Sequence, residues 1–159
     1  MSDNIILMQW KKWVSRPGGK KIFSILLGRM VPYTGSMKAY VMSLKPGYAQ
    51  VRLKDRKKIR NHLNSIHAIA LMNLAELATG LAMNAALPGN MRGIVTRLSM
   101  DYLKKARGTL IAECQCDIPK RNEEHEYVLE GIIRDEVGDI VAVGTATWKV
   151  GPGNQPDLV

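Results

Sequence analysis

Hydrophobic and polar positions alternate with different spacings along this chain, and the changes mark its elements. Two apolar runs, 3–14 and 20–30, are split by Arg16-Pro17-Gly18-Gly19, which predicts two short helices broken at that point. The stretch VPYTGSM (31–37) closes this section. The runs 38–44 and 48–54 flank Lys45-Pro46-Gly47 and predict a β-hairpin. A polar, basic connection leads to Ser65, a suitable helix N-cap. From Ile66 to Met83 the chain reads as helix by length and by its Ala, Leu and Met content, until Leu87-Pro88-Gly89-Asn90 stops it. Four strand-length runs follow, 93–103, 109–118, 126–135 and 139–150. Their connections are short, so neighbouring strands are expected to be antiparallel.

The long helix is apolar nearly all round, so other structure must wrap it. A strongly curved antiparallel sheet does so, which predicts an α+β chain with the hotdog fold. The expected organisation is an N-terminal helical extension (1–34), a hotdog domain (35–151) and a flexible tail (152–159). Free sheet edges invite a partner subunit, so a homodimer is expected, with a homotetramer as the larger alternative.

Composition narrows the class. With 159 residues and 46% hydrophobic content, the chain can build one domain around a real core. The 66–83 region is apolar enough to suggest a membrane span, but it carries His67, Asn73 and Glu76, which argues for a buried helix. The N-terminus does not read as a signal peptide. Cys114 and Cys116 lie two apart, and no Cys/His cluster has zinc spacing. A cytoplasmic protein with reduced thiols and no structural metal is expected. A net charge of +9 implies an anionic partner. Nucleic acid is not expected, because a single Phe and scattered tyrosines supply no stacking platform.

Glu76 is the residue that needs a reason. An ionised carboxylate in an apolar helix is costly unless paired or used, and such groups gather at functional sites. Asn73, Glu76 and Gly80 follow at steps of three and four, so they share one stripe, and a glycine there admits close approach to the backbone. His67 is nine residues earlier, about 13 Å along the axis and on the opposite face. The two meet only if two helices run antiparallel across a dimer. The helix start offers free N–H groups at Ala68 and Ile69 that suit an oxyanion. Asn61 and Asn64 lie just upstream.

The spacing Asn61, His67, Glu76 resembles the signature of hotdog thioesterases of the phenylacetyl-CoA thioesterase type, which show Asn, six residues, His-Gly-Gly, then Asp or Glu nine residues after the His. MDYLKKARGTLIAEC (100–114) is similar to that family's strand-loop-strand. The likeness covers roughly 35–150 and is nearest to an uncharacterised hotdog branch of unknown function. It implies an acyl-CoA thioesterase in which Glu76 is base or nucleophile, Asn61 orients water or substrate, and the Ala68 amide polarises the carbonyl. Asn64, Asn73, Ile69 and Gly80 would line the substrate, while Lys104, Lys105 and Arg107 would reach coenzyme A, which enters only as part of the substrate. No other cofactor is implied. One departure is plain: His-Gly-Gly reads His67-Ala68-Ile69 here.

Plainer readings stand beside these. Glu76 pairs with a cation across an interface; His67 only starts the helix; Asn61 only makes a turn; Lys104, Lys105 and Arg107 only solvate a loop. Trp10-Lys11-Lys12-Trp13 could mark a membrane-surface helix, although packing onto the body is preferred. A non-catalytic module that binds acyl-CoA or another anionic ligand is the alternative to the thioesterase. A hotdog dehydratase has no His/Asp dyad to require it.

Overall fold

The computed structural model describes residues 4–117 and 123–153. Its elements are α1 (Ile5–Val14), α2 (Gly19–Met30), α3 (Pro32–Ser36), β1 (Tyr40–Lys45), β2 (Tyr48–Leu53), α4 (Ala68–Ala86), β3 (Met91–Tyr102), β4 (Leu110–Gln115), β5 (His125–Arg134) and β6 (Ile140–Pro152). The six strands form one antiparallel sheet in the order β1-β2-β4-β5-β6-β3, and α4 packs against all of them. This is the hotdog fold.

Successive strands pair at β1–β2, β4–β5 and β5–β6, but β3 and β4 do not. β3 crosses to the far edge and pairs with β6, three strands from β4. The connection 103–109 permits this: seven extended residues reach about 23 Å, against about 14 Å for three strand spacings.

Small residues let the helix sit close to the sheet. Gly131 and Gly144 are paired in register, and a Cβ at Gly144 would lie 2.4 Å from the Ala75 Cβ. Leu74, Ala78, Ala82 and Met83 are fully buried around this contact. α4 is long and apolar enough to cross a membrane, yet 67% of that window is buried inside the fold.

The helix begins later than Ser65. The Ile66 amide donates to the Ala106 carbonyl (2.8 Å) and Ile66 bridges Arg60, so residues 65–66 are extended. His67 is the N-cap, its Nδ1 accepting from the Ile69 amide (3.1 Å).

The N-terminal helices pack on one another and are fastened to the body by side-chain hydrogen bonds. Trp10 is buried and meets Phe23 edge-on at 5.1 Å, so it packs inward. Asn4 caps α1 by accepting from the Leu7 amide (3.1 Å), and its Nδ2 donates to the Leu87 carbonyl (2.6 Å) at the end of α4. Thr34 donates to the Asn73 Oδ1 (2.9 Å). At the other end of the chain, Pro152 still pairs with Met91; of the expected tail, 154–159 lie outside the described residues.

Candidate active site

The sheet leaves one stripe of α4 partly open. Ile69, Met72 and Glu76 follow at i, i+3 and i+7, and all three are at least partly exposed, Met72 and Glu76 between buried neighbours. Glu76 follows Ala75, the residue held against Gly131 and Gly144, so the tight helix–sheet contact fixes its position. One Glu76 carboxylate oxygen lies 3.9 Å from where a Gly80 Cβ would be. Burial raises the Glu76 pKa above the ordinary carboxylate value. No cation pairs with it among the described residues. A half-buried carboxylate without a counter-charge binds protons more readily than a surface one, as a general base working near neutral pH requires.

Beneath Glu76 lies a polar chain. The Trp148 Nε1–H donates to the Thr79 hydroxyl (3.2 Å), which donates to the Glu76 carbonyl (3.0 Å). Gly80 serves this packing: a Cβ there would come within 3.0 Å of the Trp148 ring. The close approach that Gly80 permits is therefore taken by Trp148, and Gly80 is buried. Asn73 is buried as well, with its Oδ1 committed to Thr34. Both residues face structure within the chain rather than the open stripe.

A second group of residues meets at the helix start. Asn61 Oδ1 accepts from the Leu63 amide (3.0 Å), the Ser65 amide (3.2 Å) and the Ser65 hydroxyl (3.1 Å), and this closes the turn before α4. Asn64 sits in that turn at φ 54, a left-handed value that Asn tolerates well. His67 is exposed and caps the helix, so the Ile69 amide already has an acceptor. The Ala68 amide has none among the described residues. Tyr102, which no motif marks beyond its place just before the basic loop, donates to the Ala68 carbonyl (3.1 Å). Partial burial raises its pKa.

The loop 103–109 lies against this turn through the Ile66–Ala106 bond. Arg107 reaches the Leu63 carbonyl at 3.5 Å. Lys105 is exposed. Lys104 is held elsewhere: its Nζ bridges Asp135 (2.6 Å) and Asp139 (2.8 Å) in the β5–β6 turn. That contact holds the Asp135 carboxyl below its usual range. Asp55 grips Arg60 (2.7 Å) and accepts from the Gly108 amide (3.2 Å), tying the two loops together.

The structure thus gathers Asn61, Asn64, His67, Ala68, Lys105 and Arg107 at one end of α4. Glu76 stands apart, eight residues past Ala68 and about 12 Å along the helix axis. Both cysteines are free.

The model of a domain of unknown function, DUF4442, matches residues 19–150. A protein of Archaeoglobus fulgidus named as a candidate esterase is 27% identical over 111 residues, 69% of this chain and 68% of its own length. A crystal structure from a genomics effort superposes with a TM-score of 0.81 at 28% identity, covering 94% of this chain and 99% of that one. A Pseudomonas aeruginosa protein of unknown function, described as a probable thioesterase, superposes with a TM-score of 0.74 at 23% identity, covering 86% and 97%. At that identity the likeness is one of fold.

Proposed function

Since the chain belongs to the DUF4442 family of unknown function and folds as a hotdog, we propose that it hydrolyses an acyl-CoA thioester at a site completed by a second copy of itself. The observation that carries this reading is Glu76: a half-buried carboxylate, raised in pKa by burial and unpaired within the described residues, on a stripe of α4 that the sheet leaves partly open. Water deprotonated by Glu76 attacks the thioester carbonyl, the C–S bond breaks and the thiolate leaves as the thiol with the proton Glu76 took up; or the carboxylate attacks first, forming an anhydride as the thiolate leaves, and water then hydrolyses the anhydride. The developing oxyanion needs donors, and the Ala68 amide at the positive end of α4 is free to supply one.

Within one chain these groups are too far apart to share a carbonyl. Two chains with antiparallel helices would set Glu76 of one against the helix start of the other. An open sheet edge supports that reading: β3 is a 12-residue edge strand, largely exposed, with Leu98 (37% exposed) on its helix-facing side and Ile94 (45%) on the other. Lys105 and Arg107, on the loop beside the helix start, suit the phosphates of coenzyme A.

A second reading has its own observation. Ala68 and Ile69 stand where the resembling enzymes have two glycines, and the Ile69 amide is already bonded to His67. A module that binds acyl-CoA or another anionic ligand without turnover fits that departure. Thiol release from a panel of short, long and aryl acyl-CoAs separates the two. The thioesterase reading expects turnover that is lost in Glu76→Ala. Binding without turnover in a folded, dimeric protein supports the module instead.

A further inference from the structure

The two faces of α2 line two different clefts. Phe23, Leu26, Leu27 and Met30 line an apolar one of about 650 Å³, closed by α1 and the end of α4. Ser24 and Gly28 face a cleft of about 580 Å³ lined by Lys21, Lys38, Tyr40 and Arg52. Arg29 lines both. Each volume falls in the ~300–1,000 Å³ range of small-molecule sites.

The charge in the second cleft is one-sided. Lys21, Arg29, Lys38 and Arg52 line it without a carboxylate, and none of the four joins an ion pair among the described residues. No Asp or Glu occurs anywhere from Asn4 to Lys54. Arg52 anchors the cleft wall. Its guanidinium lies over the Tyr40 ring at 4.6 Å with the Nε buried, which holds the side chain in place beside the other three cations. Lys38 keeps its charge at the cleft with φ 54, a backbone region other residues fill more easily.

This cleft is separate from Glu76. Ala49, Val51 and Leu53 turn into the core that α4 fills, so Arg52, alternating with them along β2, points to the other side of the sheet. The apolar cleft lies on the opposite face of α2 and meets the first at Arg29, which lines both, with Ile5 and Met30 exposed at 71% and 79% among its lining.

We propose that the two clefts form one site for a phosphorylated amphiphile. Its phosphate sits among Arg52, Lys38 and Lys21, and its aliphatic chain passes Arg29 into the apolar cleft. Guanidinium and ammonium groups suit a phosphate, and a chain in the adjoining cleft covers apolar surface that is otherwise wet. The site goes beyond the thioesterase reading and does not depend on it.

Calorimetric titration of the full chain with dodecyl phosphate below its micelle concentration, and with inorganic phosphate, tests this. Saturable binding is expected, at least about tenfold tighter with the chain than without it, and weakened about tenfold or more in Arg52→Gln and Lys38→Gln. Thioester turnover and the effect of Glu76→Gln, followed in parallel, should be independent of these changes. Exposed Lys38→Gln keeps the test decisive if Arg52→Gln fails to fold. Sedimentation with phosphatidylglycerol and phosphatidylcholine vesicles identifies the source. Arg52-dependent vesicle binding supports a lipid headgroup, and binding of the free ester alone supports a soluble phosphate ester. No saturable binding by folded wild type would overturn the proposal. So would equal affinity for dodecyl phosphate and phosphate, affinity unchanged in both variants, or affinity lost only in Glu76→Gln.

Discussion

Gly144→Ala tests how the fold holds the proposed base. The new methyl would lie 2.4 Å from the Ala75 Cβ and 3.2 Å from the Met100 Cε. The methionine end can swing away, but Ala75 is on the helix. Restoring ordinary contact at ~3.4 Å or more requires α4 and β6 to part by about 1 Å. Overpacking of this kind costs about 1–3 kcal/mol. For a chain of this length about 2 kcal/mol lowers Tm by roughly 4–8 °C. Glu76 adjoins Ala75, so the same shift moves the carboxylate, and a displacement near 1 Å is worth up to ~100-fold in rate. Ala75→Gly alone weakens the helix by about 1 kcal/mol. Placed in the Gly144→Ala background it removes the clashing methyl and should restore Tm and turnover beyond the additive expectation. The assay is thermal unfolding by circular dichroism together with thiol release across the four members of this cycle. Additive losses, or a Gly144→Ala protein with wild-type Tm and turnover, would refute the claim that this contact positions Glu76.

Other consequences are as direct. Burial raises the folded-state pKa of Glu76, so its contribution to stability is fully present below the unfolded-state pKa and is lost as pH rises through the folded one. Glu76→Gln should therefore be more stable than wild type at about pH 8, the difference shrinking towards about pH 4 in denaturant titrations. Trp148→Phe removes the donor to Thr79 and leaves a gap against Gly80, which should cost about 1–3 kcal/mol by denaturant unfolding. Thr34→Val leaves the buried Asn73 without its bond and should cost about 1–3 kcal/mol, with α2 and α3 losing amide-exchange protection first. His67→Ala removes the cap of α4 and should cost about 0.5–2 kcal/mol by chemical denaturation.

The central helix was legible because nothing but burial on all sides explains its composition, and the wrapped sheet followed from that. The place of β3 was not, since pairing across the sheet is decided by a partner 50 residues away and a seven-residue crossover looks like any short connection. His67 was found by spacing and its place at the helix start was among the readings, but Ser65 was expected to be the cap because an imidazole is not among the usual N-caps. Asn73 and Gly80 share a stripe with Glu76 in sequence. The partners that absorb them, Thr34 and Trp148, come from distant segments, and periodicity holds no record of such partners. Lys104 resembled a phosphate ligand for the same reason, its two aspartates lying some thirty residues on. The cation-lined cleft beside α2 had no motif at all; it exists only because β2 turns Arg52 away from the core.

The central claim is that Glu76 is the base for thioester hydrolysis. The most direct measurement is the pH dependence of kcat/KM for the best acyl-CoA substrate, in wild type and in Glu76→Gln. The account predicts a wild-type profile that rises with loss of one proton, at a pH above the ordinary carboxylate range, and a variant with no such limb and little turnover. An unchanged profile with wild-type turnover in Glu76→Gln would contradict it.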